Sequence, residues 1–449
     1  MGSRALRSRL PSATSGARTT AVLPSRDQPI RRVDSGRIHA NAIHACAHAY
    51  PRHELNTPPV VTYLSNVDPA LRRCWLPVAR SVEISDRPHR VLLLGEPWVL
   101  VRMRAARDGE PAQLLAFADR CPHRQAPLSI GSVTVPDGRE ANGATGTTPA
   151  DAPVSAISVP DVPALRCAYH GWCFDAGGRC VTIPALGPGA RIPPNAQLRR
   201  AHGIAERYGM VFLCPTQPLE GLESLPDIPE ATDPAFTAGH LPPRRARACA
   251  GMLADNFLDI AHFAFVHPAT FGVDEPVVRP VAVERRGLSY TAVSMHPFRE
   301  GPAVCAGRPL VQERRLTYRV MAPFHLFLRL DSVDSGGRDL LGYFLQPETA
   351  ETTRVYLTFW RDDLGGDAAR IAEIVDFEIQ IVEEDMVVQE SYDLRALPLD
   401  LTAELHTRAD RSTLEYRRML SDLVDAASHD RGRPGTTKGT SGAPTPDPR

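Results

Sequence analysis

Two short segments constrain this 449-residue chain more than anything else in it: Cys121-Pro122-His123 and Cys167-Ala168-Tyr169-His170. Each offers one thiolate and one imidazole, both metal donors. Four donors on two loops must converge, so the surrounding chain has to be a rigid scaffold that presents both loop tips at one place. The preceding stretches, 114–118 and Leu165, read as strand ends, which suits a small all-β scaffold. Two Cys and two His can hold one tetrahedral zinc. They can also hold a binuclear iron–sulfur cluster, with both thiolates on one iron and both imidazoles on the other. Zinc loops tend to pair Cys with Cys and His with His, whereas here each loop is mixed.

A second set of donors lies between Asp255 and Pro268, where Asn256, Asp259, His262 and His267 interrupt an apolar run. The first three are spaced three apart, which predicts one shared helix face. His267 falls about 140° round an ideal helix from His262. The helix is therefore expected to end or widen into a π-type turn before His267, and Pro268 is consistent with a break there. Two imidazoles so placed can be two of the three protein ligands of a mononuclear iron(II) centre, whose third is a carboxylate, or a hydrogen-bonded pair of core histidines. The helical pattern after Asp367 offers the carboxylate. With Val382 as reference, Ile371, Val375, Met386 and Gln389 fall within about 40° of it. Asp385 lies about 60° away at the edge of this inward stripe, Glu384 nearly opposite and Glu383 about 100° off. Glu378 also falls on the stripe and rivals Asp385.

Residues 1–60 carry nine Arg and three acids and no periodic apolar pattern. Residues 1–65 are expected to be a disordered arm, although an Arg- and Ser-rich start also resembles a transit peptide. The His44-Ala45-Cys46-Ala47-His48 motif lies in that arm with no fold to hold it. Residues 429–449 form a Gly/Pro/Thr tail that cannot bury a core, and 135–163 reads as an inserted surface loop. Between these, 74–213 shows short strand-like runs, 247–360 longer ones, and 367–392 and 410–424 a helical period. With 51 Lys+Arg against 52 Asp+Glu, charge gives no reason to propose nucleic acid or an anionic membrane as partner. No apolar run reaches the roughly 18 residues of a membrane helix. Nine scattered cysteines read as reduced thiols of a cytoplasmic protein.

With their flanks, Cys-Pro-His-Arg124 and Cys-Ala-Tyr-His-Gly171-Trp172 are similar to the two halves of the Rieske signature. From Leu76 to Leu423 the chain resembles the catalytic α-subunit of a Rieske-type non-haem iron oxygenase, in the branch with methylxanthine N-demethylases, vanillate O-demethylase and related monooxygenases. Trp75-Leu-Pro-Val-Ala, Leu93-Leu-Gly-Glu, Glu206-Arg-Tyr-Gly, the 256–268 segment and Glu384-Asp385 carry the resemblance together with both loops. The stretch between the loops is longer than the family usually has.

The fold this resemblance implies is α+β. An all-β Rieske [2Fe–2S] domain over 66–225 would be followed by an α+β helix-grip (START-like) catalytic domain over 226–428. Cys121, His123, Cys167 and His170 would hold the cluster, and His262, His267 and Asp385 the catalytic Fe(II). Asp259 matches the family's bridging carboxylate, which links an iron-ligating His to a cluster His of the adjacent subunit, and Asn256 would line the iron cavity. Such bridging implies a closed head-to-tail ring, a homotrimer by family analogy. Electrons would come from NAD(P)H through a separate reductase or ferredoxin, and O2 would hydroxylate or demethylate a small aromatic or heterocyclic substrate. Cis-dihydroxylation and oxidative cyclisation use the same ligands, which therefore do not choose among these reactions. A Rieske electron carrier without oxygenase activity would need a replaced triad member, and none is evident. A zinc-stabilised binding protein is the remaining alternative.

Overall fold

Short strands dominate where turn residues interrupt the apolar pattern every few positions. The computed structural model describes residues 62–103, 111–135, 163–187, 189–299, 310–334 and 336–429. The 44–48 motif, nearly all of the 135–163 insert, and most of the arm and tail lie outside the described residues. His89–Leu93, Glu96–Met103 and Gln113–Ala118 form one three-stranded sheet, and Gly203–Arg207, Met210–Cys214 and Leu76–Arg80 another. Ser132–Thr134, Ala164–Arg166, Cys173–Phe174 and Cys180–Thr182 make a four-stranded sheet. Thr134 and Ala164 are direct partners in it, so the chain leaves for the insert and returns from it on one rung of the ladder.

From Thr237 the strands lengthen into one antiparallel sheet. Its order is Thr237–His240, Thr353–Arg361, Arg338–Pro347, His325–Ser332, Val311–Met321, Ser289–Arg299, Ala282–Arg286, with Arg244–Ala246 also paired to Thr353–Arg361. Helices α1 (Ala250–Leu258), α2 (Phe263–Val266), α3 (Ala368–Gln389) and α4 (Arg411–His429) complete this half. All-β followed by α+β is the order expected. In α3 the Asp367 carboxylate accepts the backbone N–H groups of Ala369 and Arg370 and starts the helix. The residues α3 buries are Ile374, Glu378, Val382, Met386 and Gln389, an i, i+4 stripe. Ile371 and Val375, expected on it, are half-buried.

The large sheet is covered on both faces, which explains why 325–330 reads as a near-continuous apolar run. Leu328 and Leu330 face the side that α3 covers. Phe327 faces the other way, packing edge-on to Tyr208 and Phe344 in a cluster with Phe212. The core thus crosses the expected 225/226 border. Leu76, Leu93, Trp98 and Leu213 share one buried cluster with Leu316, Leu345 and Leu357.

One boundary differs from the expectation. Tyr63–Ser65, assigned to the disordered arm, is a strand paired with Ala396–Pro398. The next residue, Asn66, is 1% exposed. Its amide donates to Thr349 O, Thr352 O and Thr353 Oγ1 at 3.0 Å each, and its oxygen accepts the Ala250 N–H at 2.7 Å. Short polar stretches escape periodicity analysis because a few long-range hydrogen bonds, not an apolar face, fix them. Replacing Asn66 by Ala strands these buried groups and should cost about 2–4 kcal/mol. The check is the urea midpoint of the Asn66→Ala variant, with an unchanged slope showing that the loss is one of stability.

Candidate functional site

The two Cys/His loops close in the same way although their donors are spaced differently. Cys121 O accepts the Gln125 N–H (2.9 Å), and Cys167 O accepts the Gly171 N–H (3.0 Å). One residue later, Ala126 O and Trp172 O accept the N–H groups of Cys121 and Cys167, both at 2.8 Å. Gln125 (φ 59°) and Gly171 (φ 69°) occupy the left-handed backbone region that so tight a turn requires. The loops bring the His123 and His170 ring centroids to 4.5 Å, and Trp172 stacks on His123 at 4.7 Å.

Both cysteines are buried and both histidines exposed, so a cluster here has its thiolate iron inside and its imidazole iron at the surface. Burial pushes the Cys121 thiol up to about 11; backbone N–H groups of His123 and Arg124 oppose the shift and the neighbouring Cys167 reinforces it. A thiol this hard to ionise becomes a thiolate when a cation replaces its proton. The donor set, two inner sulfurs and two outer imidazoles, fits the binuclear cluster.

The second set converges by a different local route from that expected. Asn256, Asp259 and His262 do not share a helix face. Helix α1 stops at Leu258, and Asp259 is extended (φ −85°, ψ 131°). The cause is the Asp259 side chain, whose Oδ1 accepts the Ala261 N–H at 2.8 Å. A short carboxylate bonding its own chain two residues on competes with the helix. The break therefore precedes His262, which starts α2, and His267 ends it.

His262 Nε2 and His267 Nε2 stand 3.2 Å apart. Asp385 Oδ1 is 3.5 Å from the first and 3.2 Å from the second. His267 Nδ1 donates to Glu384 Oε2 at 2.8 Å, which leaves a lone pair on its Nε2. Asp259 Oδ2 stands 3.4 Å from His262 Nδ1, long for a hydrogen bond, so it fixes that tautomer mainly by charge. Three lone pairs then point at one spot, and Asp385 Oδ1 is buried without a hydrogen-bond partner. A cation resolves this repulsion. Donors about 2.1 Å from one ion and at right angles are about 3 Å from each other, close to the distances seen. Among the described residues this is the one such metal-ligating group.

Burial alone would lower the His262 pKa, but the carboxylates of Asp259 and Asp385 hold it up at about 9. Asp385 is pushed up by burial and pulled down more strongly by the two histidines, ending well below the usual carboxylate range.

The triad opens into a cavity of about 110 Å³, lined by Phe257, Phe271, Phe298, Tyr318, Tyr343 and Phe359. Asn256 lines it as expected, its Oδ1 held by Gln389 Nε2 at 3.0 Å. Leu328, Leu330, Leu341 and Tyr343 line it from two adjacent strands of the large sheet. His325 packs on Phe212 across the sheet (5.5 Å). Glu378 is not with the histidines; it lines the cavity elsewhere. Glu384, expected to face away, grips His267 and also accepts from Thr270 Oγ1 at 2.8 Å. A helical wheel misses it because a long side chain can curl back along the helix. The adjacent Glu384-Asp385 pair was the available signal. Alternation in 312–320 could likewise have shown Arg314 on the inner face with Leu316 and Tyr318.

Comparison with known proteins fits both centres. A Rieske [2Fe-2S] domain matches residues 74–141 and 150–199, and the vanillate O-demethylase oxygenase C-terminal domain matches 246–426. The chain belongs to the Rieske-type non-haem iron oxygenases. It is 28% identical to the methylxanthine N1-demethylase NdmA of Pseudomonas putida, over 79% of this chain and 90% of that one. It is 32% identical to the dicamba O-demethylase oxygenase component of Stenotrophomonas maltophilia, over 45% and 50% of the respective chains. The solved structure of NdmA with caffeine superposes with a TM-score of 0.64 at 25% identity, covering 82% of this chain and 94% of that one. As an oxygenase component, the protein takes electrons from a separate reductase through a Rieske cluster to a mononuclear iron and uses O2 to oxidise an organic substrate.

Because the folded-state pKa of His262 is raised to about 9, its charge adds stability that is full below about pH 6.5 and fades as pH climbs through about 9. Metal-free oxygenase should lose on the order of 2 kcal/mol across that window. Thermal unfolding at stepped pH is the measurement, and His262→Gln should flatten the fall.

Proposed function

We propose that this oxygenase demethylates nitrogen or oxygen on a small, flat aromatic or heterocyclic compound, releasing formaldehyde. The observation that carries this reading is the triad opening directly into an aromatic-walled cavity. Phe257 lies parallel to Tyr343 (4.8 Å, 4°) and edge-on to Tyr318, a wall against which a planar ring can lie. NdmA and NdmB, spanned at 90% and 89% of their lengths, are described as methylxanthine N1- and N3-demethylases. This favours demethylation over cis-dihydroxylation or oxidative cyclisation. The net reaction is R–CH3 + O2 + 2 e⁻ + 2 H⁺ → R–CH2OH + H2O, after which R–CH2OH collapses to R–H and formaldehyde.

In this reading Cys121, His123, Cys167 and His170 hold the cluster, and His262, His267 and Asp385 hold the iron. When bound, the iron supplies O2 activation and the cluster supplies the electrons that activation consumes. The protein's own part is positioning. Glu384 keeps the His267 lone pair on Nε2, Asp259 does the same for His262, and Gln389 orients Asn256 toward the cavity. The aromatic wall excludes water from the reacting C–H bond.

We also propose a head-to-tail homotrimer in which Asp259 bridges His262 to a cluster histidine of the next subunit. Exposed apolar residues flank both ends of such a contact. Ile130 (66% exposed) and Tyr169 (64%) lie beside the cluster loops, and Phe265 (73%) and Val387 (76%) beside the triad. The domain boundaries 66–225 and 226–428 stay as the working division, with Tyr63–Ser65 added to the folded part. No described helix is long and apolar enough to cross a membrane. No described cysteine forms a disulfide, which supports a cytoplasmic setting with a NAD(P)H-driven reductase or ferredoxin as partner.

Anaerobically prepared protein should carry about three irons per chain. Asp385→Ala should lose about one, keep the cluster's visible spectrum and lose at least 100-fold in formaldehyde release, assayed with a surrogate reductase across N-methyl and O-methyl arenes. Asp259→Asn should keep all the iron yet lose turnover. Full iron loading and full turnover in Asp385→Ala would sink the assignment. Sedimentation should give three times the 49.0-kDa chain mass.

A further inference from the structure

Helix α3 brings a second carboxylate to the cavity that the metal chemistry does not use. Glu378 precedes Asp385 by seven residues, which is nearly two full turns, so the two side chains share a face. They are on the order of 10 Å apart along the axis. Glu378 is 9% exposed and lines the same cavity as His262, His267 and Asp385. Among the described residues its carboxyl group has no hydrogen-bond partner. Its oxygens are not sealed inside the protein but open to the cavity, so whatever pairs them comes from there.

Its neighbours show which form it takes. On its own helix the adjoining turns present Ile374, Val375, Ile381 and Val382. Across the cavity, the strand Val311–Met321 contributes Arg314, Arg338–Pro347 contributes Asp339, and Thr353–Arg361 contributes Arg361. Arg314 bonds Asp339 at 2.6 Å, Arg361 approaches Asp339 at 3.1 Å, and Arg361 bonds Asp363 through two nitrogens at 3.0 Å each. Arg314 and Arg361 are matched by Asp339 and Asp363, and Arg299, which also lines the cavity, donates to Pro268 O at 3.0 Å, so among the described residues no guanidinium hydrogen-bonds Glu378. Burial pushes Glu378 up to about 7; Arg361 opposes this, Asp339 reinforces it and Arg314 opposes it. Below about pH 7 the group mostly carries its proton and has nothing among the described residues to give it to.

We propose that Glu378 is a specificity-determining residue. As a carboxylic acid in the cavity wall it donates a hydrogen bond to an acceptor on the substrate, a carbonyl oxygen or an unprotonated ring nitrogen, while the methyl group to be oxidised lies at the triad. This rests on the reading of the cavity as the substrate site. The guanidiniums of Arg314 and Arg361 are already bonded to Asp339 and Asp363, so the group beside Glu378 favours a neutral acceptor over a carboxylate, and the selected class is neutral heterocycles with ring carbonyls or ring nitrogens. The spacing along α3 suits a ligand of one or two rings. A donor aimed at an acceptor also discriminates more sharply than an apolar wall, because a ligand lacking the acceptor leaves the buried acid unpaired.

The test is calorimetric binding of N-methylphthalimide and of 4-methoxybenzoate to the intact, iron-loaded oxygenase without reductase. Wild type, Glu378→Gln and Glu378→Leu would each be titrated at about pH 6 and about pH 8.5, on either side of the Glu378 transition. The cluster spectrum serves as the folding control. Wild type should bind the imide about tenfold more weakly at the higher pH. Glu378→Gln, which keeps a donor, should bind it with little pH dependence, and Glu378→Leu should be about tenfold weaker at the lower pH. A flat wild-type profile with unimpaired Glu378→Leu overturns the inference, as does binding of 4-methoxybenzoate in preference to the imide. Formaldehyde release under turnover keeps the two readings apart. Glu378-dependent binding without demethylation overturns only the reaction, and demethylation indifferent to Glu378 overturns only this inference.

Discussion

Everything in the catalytic half is arranged around three donor atoms that need a metal ion or a shared proton between them. His262 Nε2, His267 Nε2 and Asp385 Oδ1 lie 3.2 to 3.5 Å from each other, with Glu384 hydrogen-bonded to the outer nitrogen of His267 and Asp259 3.4 Å from that of His262. In a metal-free protein this is a concentration of strain relieved by one shared proton; with iron it is a rigid three-donor face. Asp259 serves this site twice. It breaks the chain out of α1, so that His262 and His267 can meet, and it then stands beside His262 Nδ1.

The cluster loops solve the same problem with backbone rather than carboxylates. Each cysteine is fixed by a pair of main-chain hydrogen bonds to the residues four and five positions on, and a left-handed residue closes each turn. The sulfurs are drawn into the core and the imidazoles are left at the rim, where another protein surface can reach them. A cluster held by these four residues would have its thiolate side sheltered and its imidazole side exposed, which suits receiving and passing on electrons at a contact.

Between the centres, the large sheet is a wall with two occupied faces. One carries the N-terminal half through Phe212, Phe327 and Phe344, the other carries the cavity and α3. That shared core makes the two halves a single packed structure, so substitutions at their junction will disturb both sites. Inside the cavity, the aromatic wall provides shape. The Arg314–Asp339–Arg361–Asp363 network provides an ionic frame of two matched pairs that holds its polar end in place.

The residues by themselves determined the donor inventory, because metal chemistry demands particular atoms at short range and those demands appear as local motifs. They also determined α3 and its inward stripe, since helical periodicity survives in any environment. The tertiary structure alone decided what each face meets. Glu384 curls back to His267 from the wrong side of the wheel, and Asn66 ties a supposed arm into the core. His325 turns to Phe212, and Glu378 faces a cavity whose opposite wall comes from three separate strands. Periodicity records whether a side chain points inward. It cannot record which partner waits there, because that partner arrives from a hundred or more residues away only when the sheet has formed.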